Sequence, residues 1–265
     1  MKITGFNIML VEIPMKFAVH HTLAKRSVAR NILLAAYAED KLVGWGECCP
    51  REYVTGETIE SVWQHLDSEL CPRFVGRQFD SFAQLVQMLE NEAGQVARNQ
   101  LAAFCSIEMA LLDLAGKVFQ QSAGSVMGPV VHKQVQYSAV IAFEDPQLVQ
   151  EAANLISRAR FQQVKVKLGS SLEKNREILT IARKILGDQV ALRADANCAW
   201  DAKETIRQLE ALADFELQGI EQPVPADDLA GLKEITAARL TPVAVDESLC
   251  SVTDAITLIN QKACD

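Results

Sequence analysis

The chain has 265 residues, 34 acidic against 26 basic side chains, a formal net charge of -8 at pH 7 and 49% hydrophobic residues. That composition supports a buried core and argues against disorder. The acidic balance, without a basic stripe interleaved with aromatics, argues against nucleic acid as a partner; no apolar run approaches the about 20 residues that span a bilayer, and a chain that opens on strand-like residues is expected to carry no signal peptide.

The expected setting is therefore the cytoplasm, with no membrane partner and a small molecule as ligand. Cysteines 48, 49, 71, 105, 198, 250 and 264 show no CxxC or histidine spacing and read as reduced, mostly buried thiols. Along the chain, residues 2–14 alternate apolar and polar as a strand does, and residues 31–47 read as two more strands around the turn Glu39-Asp40-Lys41. Between them, residues 15–30 contain His20, His21, Lys25, Arg26 and Arg30 without an apolar period, so a loop long enough to serve as a lid is expected there. Helical spacing then appears in Ile59, Val62, Trp63 and Leu66, in Phe82, Leu85, Val86 and Leu89, and throughout residues 101–119.

After Gly128-Pro129 the pattern changes to short apolar runs at residues 135–143, 163–168, 189–196, 217–221 and 241–246. Helical stretches at 146–159, 171–186, 202–212, 227–238 and 251–261 separate or follow them, giving five βα units and a parallel sheet. No GxGxxG follows the first strand, which disfavours a dinucleotide fold. In a (β/α)8 barrel the chemistry sits at the C-terminal ends of the strands, and polar residues recur there. Alternation in Val164-Lys165-Val166-Lys167-Leu168 sends both lysines to one face, the barrel interior. The next three runs end in Asp195-Ala196-Asn197, Glu221-Gln222-Pro223 and Asp246-Glu247-Ser248, about one βα unit apart.

Asp195, Glu221 and Asp246 are thus expected side by side, where three carboxylates repel unless protonated or bridged by a cation. Oxygen-only donors suit a hard divalent ion, Mg2+ with Mn2+ as the substitute. An ammonium beside such an ion loses its proton more readily, so Lys167, with Lys165 next to it, is the expected base that removes an α-proton from a metal-bound carboxylate to give an enediolate. Asn197 either orients the metal loop or is a turn residue in a left-handed conformation, and Glu247 is either a support to the lysines or an acid at a helix start. The competing reading of the strand-end carboxylates is that they cap the following helices, and of the lysines that they protect an exposed edge strand.

These residues resemble the enolase superfamily, specifically its muconate-lactonizing-enzyme subgroup within the mandelate racemase and muconate lactonizing enzymes. The resemblance is carried by Lys165-Val166-Lys167, Asp195-Ala196-Asn197, Glu221-Gln222-Pro223 and Asp246-Glu247-Ser248, and in the N-terminal half by Gly44-Trp45-Gly46-Glu47, Thr55-Gly56-Glu57-Thr58 and the helix at 107–117. It implies an α+β capping domain with lid loops over residues 1–127, and an incomplete (β/α)8 TIM-type barrel of about five βα units over residues 128–265, bearing the metal and base residues. It implies Mg2+-dependent chemistry of the muconate cycloisomerase, dipeptide epimerase or o-succinylbenzoate synthase type on a small-molecule carboxylate. In the expected lid, His20, His21 and Arg26 are candidate substrate contacts, the competing reading being that the two histidines are simply solvated.

Three further strands and an opposing lysine on the sixth are expected of that family, so the chain reads as C-terminally truncated. The short form is expected to be marginal alone or partnered, with homo-oligomerisation as one way to cover the open sheet edge. The alternative function is a non-catalytic remnant that binds metal or a carboxylate without turnover.

Overall fold

The structure, a computed structural model, describes every residue except Thr22, Leu23 and Asp40; the side chains of residues 17–25, Tyr53, Arg98 and Met127 also lie outside the described set. The chain divides into two compact units, Met1–Lys16 with Ser27–Lys133 and Phe17–Arg26 with Gln134–Asp265.

Three strands open the chain, β1 (Ile3–His21), β2 (Ala24–Ala38) and β3 (Val43–Cys48), hydrogen-bonded in that order. The expected loop at residues 15–30 is instead mostly strand. Apolar alternation is needed only where a strand has a buried face, and Glu12, Ile13, Pro14, Met15 and Lys16 are all exposed. Pairing between the two long strands satisfies their backbone there, and an Arg30–Glu12 ion pair at 2.7 Å links them.

Helices α1 (Glu52–Thr55), α2 (Ile59–His65), α3 (Cys71–Phe74), α4 (Phe82–Ala93) and α5 (Leu101–Phe119) follow. A π turn at Leu66–Leu70 joins α2 to α3, with the Cys71 N–H donating to Leu66 O. Pro72 explains it: without an N–H the residue cannot close the next ordinary helical bond, so the chain widens by one residue just before it. Ala103, Ile107, Ala110, Leu111 and Leu114 of α5 are buried with Ile32, Leu34 and Ala36 of β2. The seam between α5 and β3 depends on Gly44 and Gly46, because a Cβ at either would collide with the Ala110 or Ser106 carbonyl.

The N-terminus of α5 has no side-chain cap from Gln100. The fully buried Glu57 takes that role from a distance, its carboxylate accepting from Ala102 N at 2.8 Å and Ala103 N at 3.2 Å. Replacing Glu57 by alanine orphans these amides, and is expected to lower stability by about 2 kcal/mol, with a correspondingly earlier midpoint in urea. An unchanged midpoint would mean water replaces the carboxylate.

The second unit holds five parallel strands, β4 (Ala139–Ile141), β5 (Gln163–Lys167), β6 (Ala191–Asp195), β7 (Gly219–Glu221) and β8 (Val243–Ala244), in sequence order across the sheet. Each is followed by a helix: α6 (Pro146–Arg158), α7 (Leu172–Leu186), α8 (Ala202–Ala211), α9 (Leu229–Ala238) and α10 (Val252–Gln261). The expected incomplete (β/α) barrel of five units is what forms.

The periodicities explain the packing. Val149, Ala153 and Ile156 recur on one side of α6, and Ile178, Leu179 and Ala182 on one side of α7, against Val164, Val166 and Leu192 of the sheet. Each such aliphatic side chain contributes about 1.5–3 kcal/mol on full burial. With Val164 and Val166 taken by that core, alternation commits Lys165 and Lys167 to the opposite face.

All seven cysteines are free thiols, as expected, but only Cys48 and Cys71 are buried; Cys49 and Cys105 are exposed and the other three half-buried. Among the described residues, no helix is long and apolar enough to cross a membrane.

Candidate active site

The parallel register aligns the chemistry in rows. Lys167 of β5 lies opposite Asp195 of β6, which lies opposite Glu221 of β7, and Ala244 of β8 completes that row. Two residues toward the strand starts, Lys165, Arg193 and Gly219 are aligned. Asp246 lies two residues beyond the row, past the end of β8, and is exposed. The spacing that suggested three carboxylates side by side thus brings Asp195 and Glu221 together and leaves Asp246 out of the row, because the β7–β8 register sets Ala244, not Asp246, opposite Glu221.

Asp195 is the centre of the site, its side chain only 1% exposed. Its Oδ2 accepts from Lys167 Nζ at 2.6 Å and lies 3.1 Å from Lys165 Nζ; Oδ1 accepts from the Asn197 N–H at 3.1 Å. Lys165 Nζ also donates to Glu221 Oε1 at 2.9 Å. Burial pushes the Asp195 carboxyl up, but hydrogen bonds and charge from Lys167 and Lys165 together outweigh it and hold the group below the usual carboxylate range. For Lys165 burial pushes down, and the Glu221 hydrogen bond with the Asp195 charge more than reverses it, leaving the ammonium above its ordinary value. The direction differs from the lowering expected beside a divalent ion because the groups facing Lys165 here are carboxylates.

Lys167 Nζ donates also to Asn197 Oδ1, and Asn197 Nδ2 donates to Glu247 Oε1 at 3.1 Å. Asn197 has φ +44, so it is both the left-handed turn residue and the link between Lys167 and Glu247. Glu247 reaches the lysine through Asn197 rather than directly, and burial raises its carboxyl above the usual range. Its Oε2 is buried without a hydrogen-bond partner among the described residues.

Neither competing reading of these residues fits. The helices after β5, β6, β7 and β8 are capped by Ser171, Asp201, Asp228 and Ser251, not by Asp195, Glu221 or Asp246. Strand β5 lies between β4 and β6, so its lysines guard no edge. Burial and then the charges of Glu247, Asp195 and Asp246 push the Cys198 thiol up to about 12, which disfavours the thiolate.

The side chains of His20 and His21 lie outside the described residues, and Arg26 is half-buried. Two groups were missed by sequence reasoning. Arg193, two residues before Asp195 and so on the same face, has its Nε buried without a partner among the described residues, a position that strand alternation could have revealed. The other is the side chain of Gln222, for which no periodicity gives a signal.

Among the described residues, no three His, Cys, Asp or Glu side chains converge closely enough to hold a metal ion. The donor chemistry nonetheless fits one: the available donors are carboxylate oxygens, and Asp195 and Glu221 already converge on a single cationic atom, Lys165 Nζ, at 3.1 and 2.9 Å.

Residues 4–128 match the N-terminal domain of the mandelate racemase / muconate lactonizing enzyme family, and residues 147–265 match the enolase C-terminal domain-like family. The chain belongs to the enolase superfamily, in its muconate-lactonizing subgroup. Within that superfamily it is similar to the N-succinyl-L-Arg/Lys racemase of Bacillus cereus, with 26% identity over 100% of this chain and 71% of that protein. It is similar in structure to the substrate-liganded L-Ala-D/L-Glu epimerase from Bacillus subtilis, with a TM-score of 0.90, 25% identity and coverage of 100% of this chain and 73% of the other. The dipeptide epimerase from Enterococcus faecalis V583, solved with Mg and the dipeptide L-Leu-L-Tyr, superimposes with a TM-score of 0.89 at 26% identity, over 100% of this chain and 73% of its own.

Proposed function

We propose that this protein catalyses Mg2+-dependent abstraction of the α-proton from a small carboxylate through an enediolate, in the manner of the superfamily's epimerases, racemases and cycloisomerases. The observation that carries this reading is the row Lys167, Asp195 and Glu221 on three adjacent parallel strands, with Lys165 bridging the two carboxylates. Similarity to enzymes named as racemase and dipeptide epimerase, one solved with Mg and a dipeptide, supports it.

Asp195, Glu221 and Asp246 are the residues that would hold the cation. When bound, Mg2+ supplies positive charge that offsets the negative charge developing on the substrate carboxylate. Lys167 accepts the α-proton at Nζ as the free amine, positioned by Asn197, which Glu247 in turn holds. Lys165 stays beside it as the ammonium, balancing charge between Asp195 and Glu221. The separate functional domains are residues 1–127 and 128–265, the second bearing the metal and base residues. His20, His21 and Arg26 are proposed as substrate contacts, Mn2+ as a substitute metal, the cytoplasm as the compartment and a homo-oligomer as the assembly.

The test is solvent exchange: protein, Mg2+ and a panel of N-succinyl amino acids and dipeptides in D2O, followed by NMR. Loss of an α-proton signal that stops on adding EDTA is the expected result. A protein that binds Mg2+ but exchanges no α-proton across the panel is the non-catalytic remnant instead.

A further inference from the structure

Strand β8 ends at Ala244, yet the residues beyond it, Asp246 to Ser248, bear the last carboxylates of the proposed site. Backbone pairing between β7 and β8 supplies little to hold them. Its last rung is Gln222 N–H donating to Ala244 O at 2.9 Å. Past that point a side chain takes over. Gln222 Oε1 accepts from the Asp246 N–H at 3.0 Å and from the Ser248 N–H at 3.1 Å. Gln222 Nε2 donates to Val224 O at 3.0 Å and to Ser248 Oγ at 2.7 Å, and that hydroxyl donates onward to Ala226 O at 2.8 Å.

Both lone-pair directions of the amide oxygen and both amide protons are therefore used, in a residue that is 0% exposed. The main chain of the same residue serves a third segment, because Gln222 O accepts from Cys198 N at 2.8 Å in the turn that contains Asn197. Gln222 does this from φ +36, a left-handed conformation that a non-glycine residue adopts rarely, and it stands directly before Pro223, which disfavours helical conformations for its neighbour. A conformation so constrained persists when the surroundings over-determine it, and the hydrogen bonds supply that determination.

We infer that Gln222 is a positioning residue that extends the β7–β8 ladder with its side chain and so fixes Asp246 and Glu247 relative to Asp195 and Glu221. The inference rests on the reading that Asp246 is a metal ligand, and deepens it by naming what aligns that ligand. A leucine or methionine of similar volume would fill the space and align nothing. Glutamate, by contrast, retains the accepting oxygen.

Amide hydrogen exchange tests the alignment without turnover, and calorimetric titration with Mg2+ alone tests its consequence. In the unaltered protein the Asp246 and Ser248 amides are expected to be protected. In Gln222→Met both are expected to lose protection by about tenfold or more, the loss that follows from one missing buried hydrogen bond. The Ile220 and Gln218 amides, bonded to Pro242 O and Leu192 O, are expected to hold. Mg2+ affinity falls by about tenfold or more, as when an outer partner of a metal ligand is removed, and Gln222→Glu recovers part of both.

Three results would overturn the inference: unprotected Asp246 and Ser248 amides in the unaltered protein, equal loss at Ile220 in the variant, or unchanged Mg2+ affinity in a folded Gln222→Met. Should that variant fail to fold, the unaltered protein and Gln222→Glu decide, the latter by keeping or losing the two amides. A protein that exchanges no substrate α-proton but shows the expected amide pattern refutes the catalytic reading and leaves the positioning role standing.

Discussion

Lys167→Met is expected to slow α-proton exchange by about 10²–10⁴-fold while Mg2+ still binds and the chain still folds. Methionine keeps the length and the apolar stem of the side chain and removes only the group that takes the proton. Folding should survive because Lys165 remains 3.1 Å from Asp195 and 2.9 Å from Glu221, so the central carboxylate keeps a cation. The rate is read from deuterium uptake at the substrate α-carbon, and binding from calorimetry on the same preparation. If Lys165→Met stops exchange and Lys167→Met does not, the base has been assigned to the wrong lysine.

The second large effect concerns stability. In protein treated with EDTA, Asp195→Asn is expected to cost about 3 kcal/mol, because it leaves two largely buried ammonium groups short of their common counter-ion. For a unit of this size that corresponds to a fall in Tm of roughly 6–12 °C. Lys165 keeps Glu221, which places the cost at the low end for a broken buried pair.

The pH dependence of that difference follows from the directions of the shifts. The Asp195 carboxyl lies below its ordinary value, so the stability it contributes is present above about pH 3.9 and is lost as pH falls through the lower folded value. The Lys165 ammonium lies above its ordinary value, so its contribution is present below about pH 10.4 and is lost as pH rises through the higher folded one. Urea melts of the two proteins should therefore differ by a constant amount between roughly pH 5 and pH 9, and converge only outside that range. A difference that drifts steadily across neutral pH would implicate some other group.

Elements with one buried face were legible in the sequence. Helical spacing over residues 101–119 became α5 over the same residues, and the alternation in β5 placed Lys165 and Lys167 on the face opposite Val164 and Val166. Within the N-terminal sheet the strands at residues 2–14 and 31–47 were legible, and the strand residues within 15–30 were not, since exposed strands held by backbone pairing need no apolar pattern. The row of the site was legible only in part. Spacing by whole βα units finds the right strands, but the register that sets Ala244 opposite Glu221 decides that Asp246 lies past the row, and register is set by pairing, not by the interval between motifs. Asn197 and Glu247 were legible as candidates, but the bridge by which Asn197 joins Lys167 to Glu247 was not, because any of several partners would satisfy the same amide.

The helix caps have a bearing on how such a protein can change its chemistry. Ser171, Asp201, Asp228 and Ser251 start the four helices that follow the site strands, and none of them is a site residue. Substitutions at the strand ends therefore leave the signals that begin each helix intact. The chemistry at the strand ends and the start of each helix are thus written in different residues, so a change in one does not by itself require rebuilding the other.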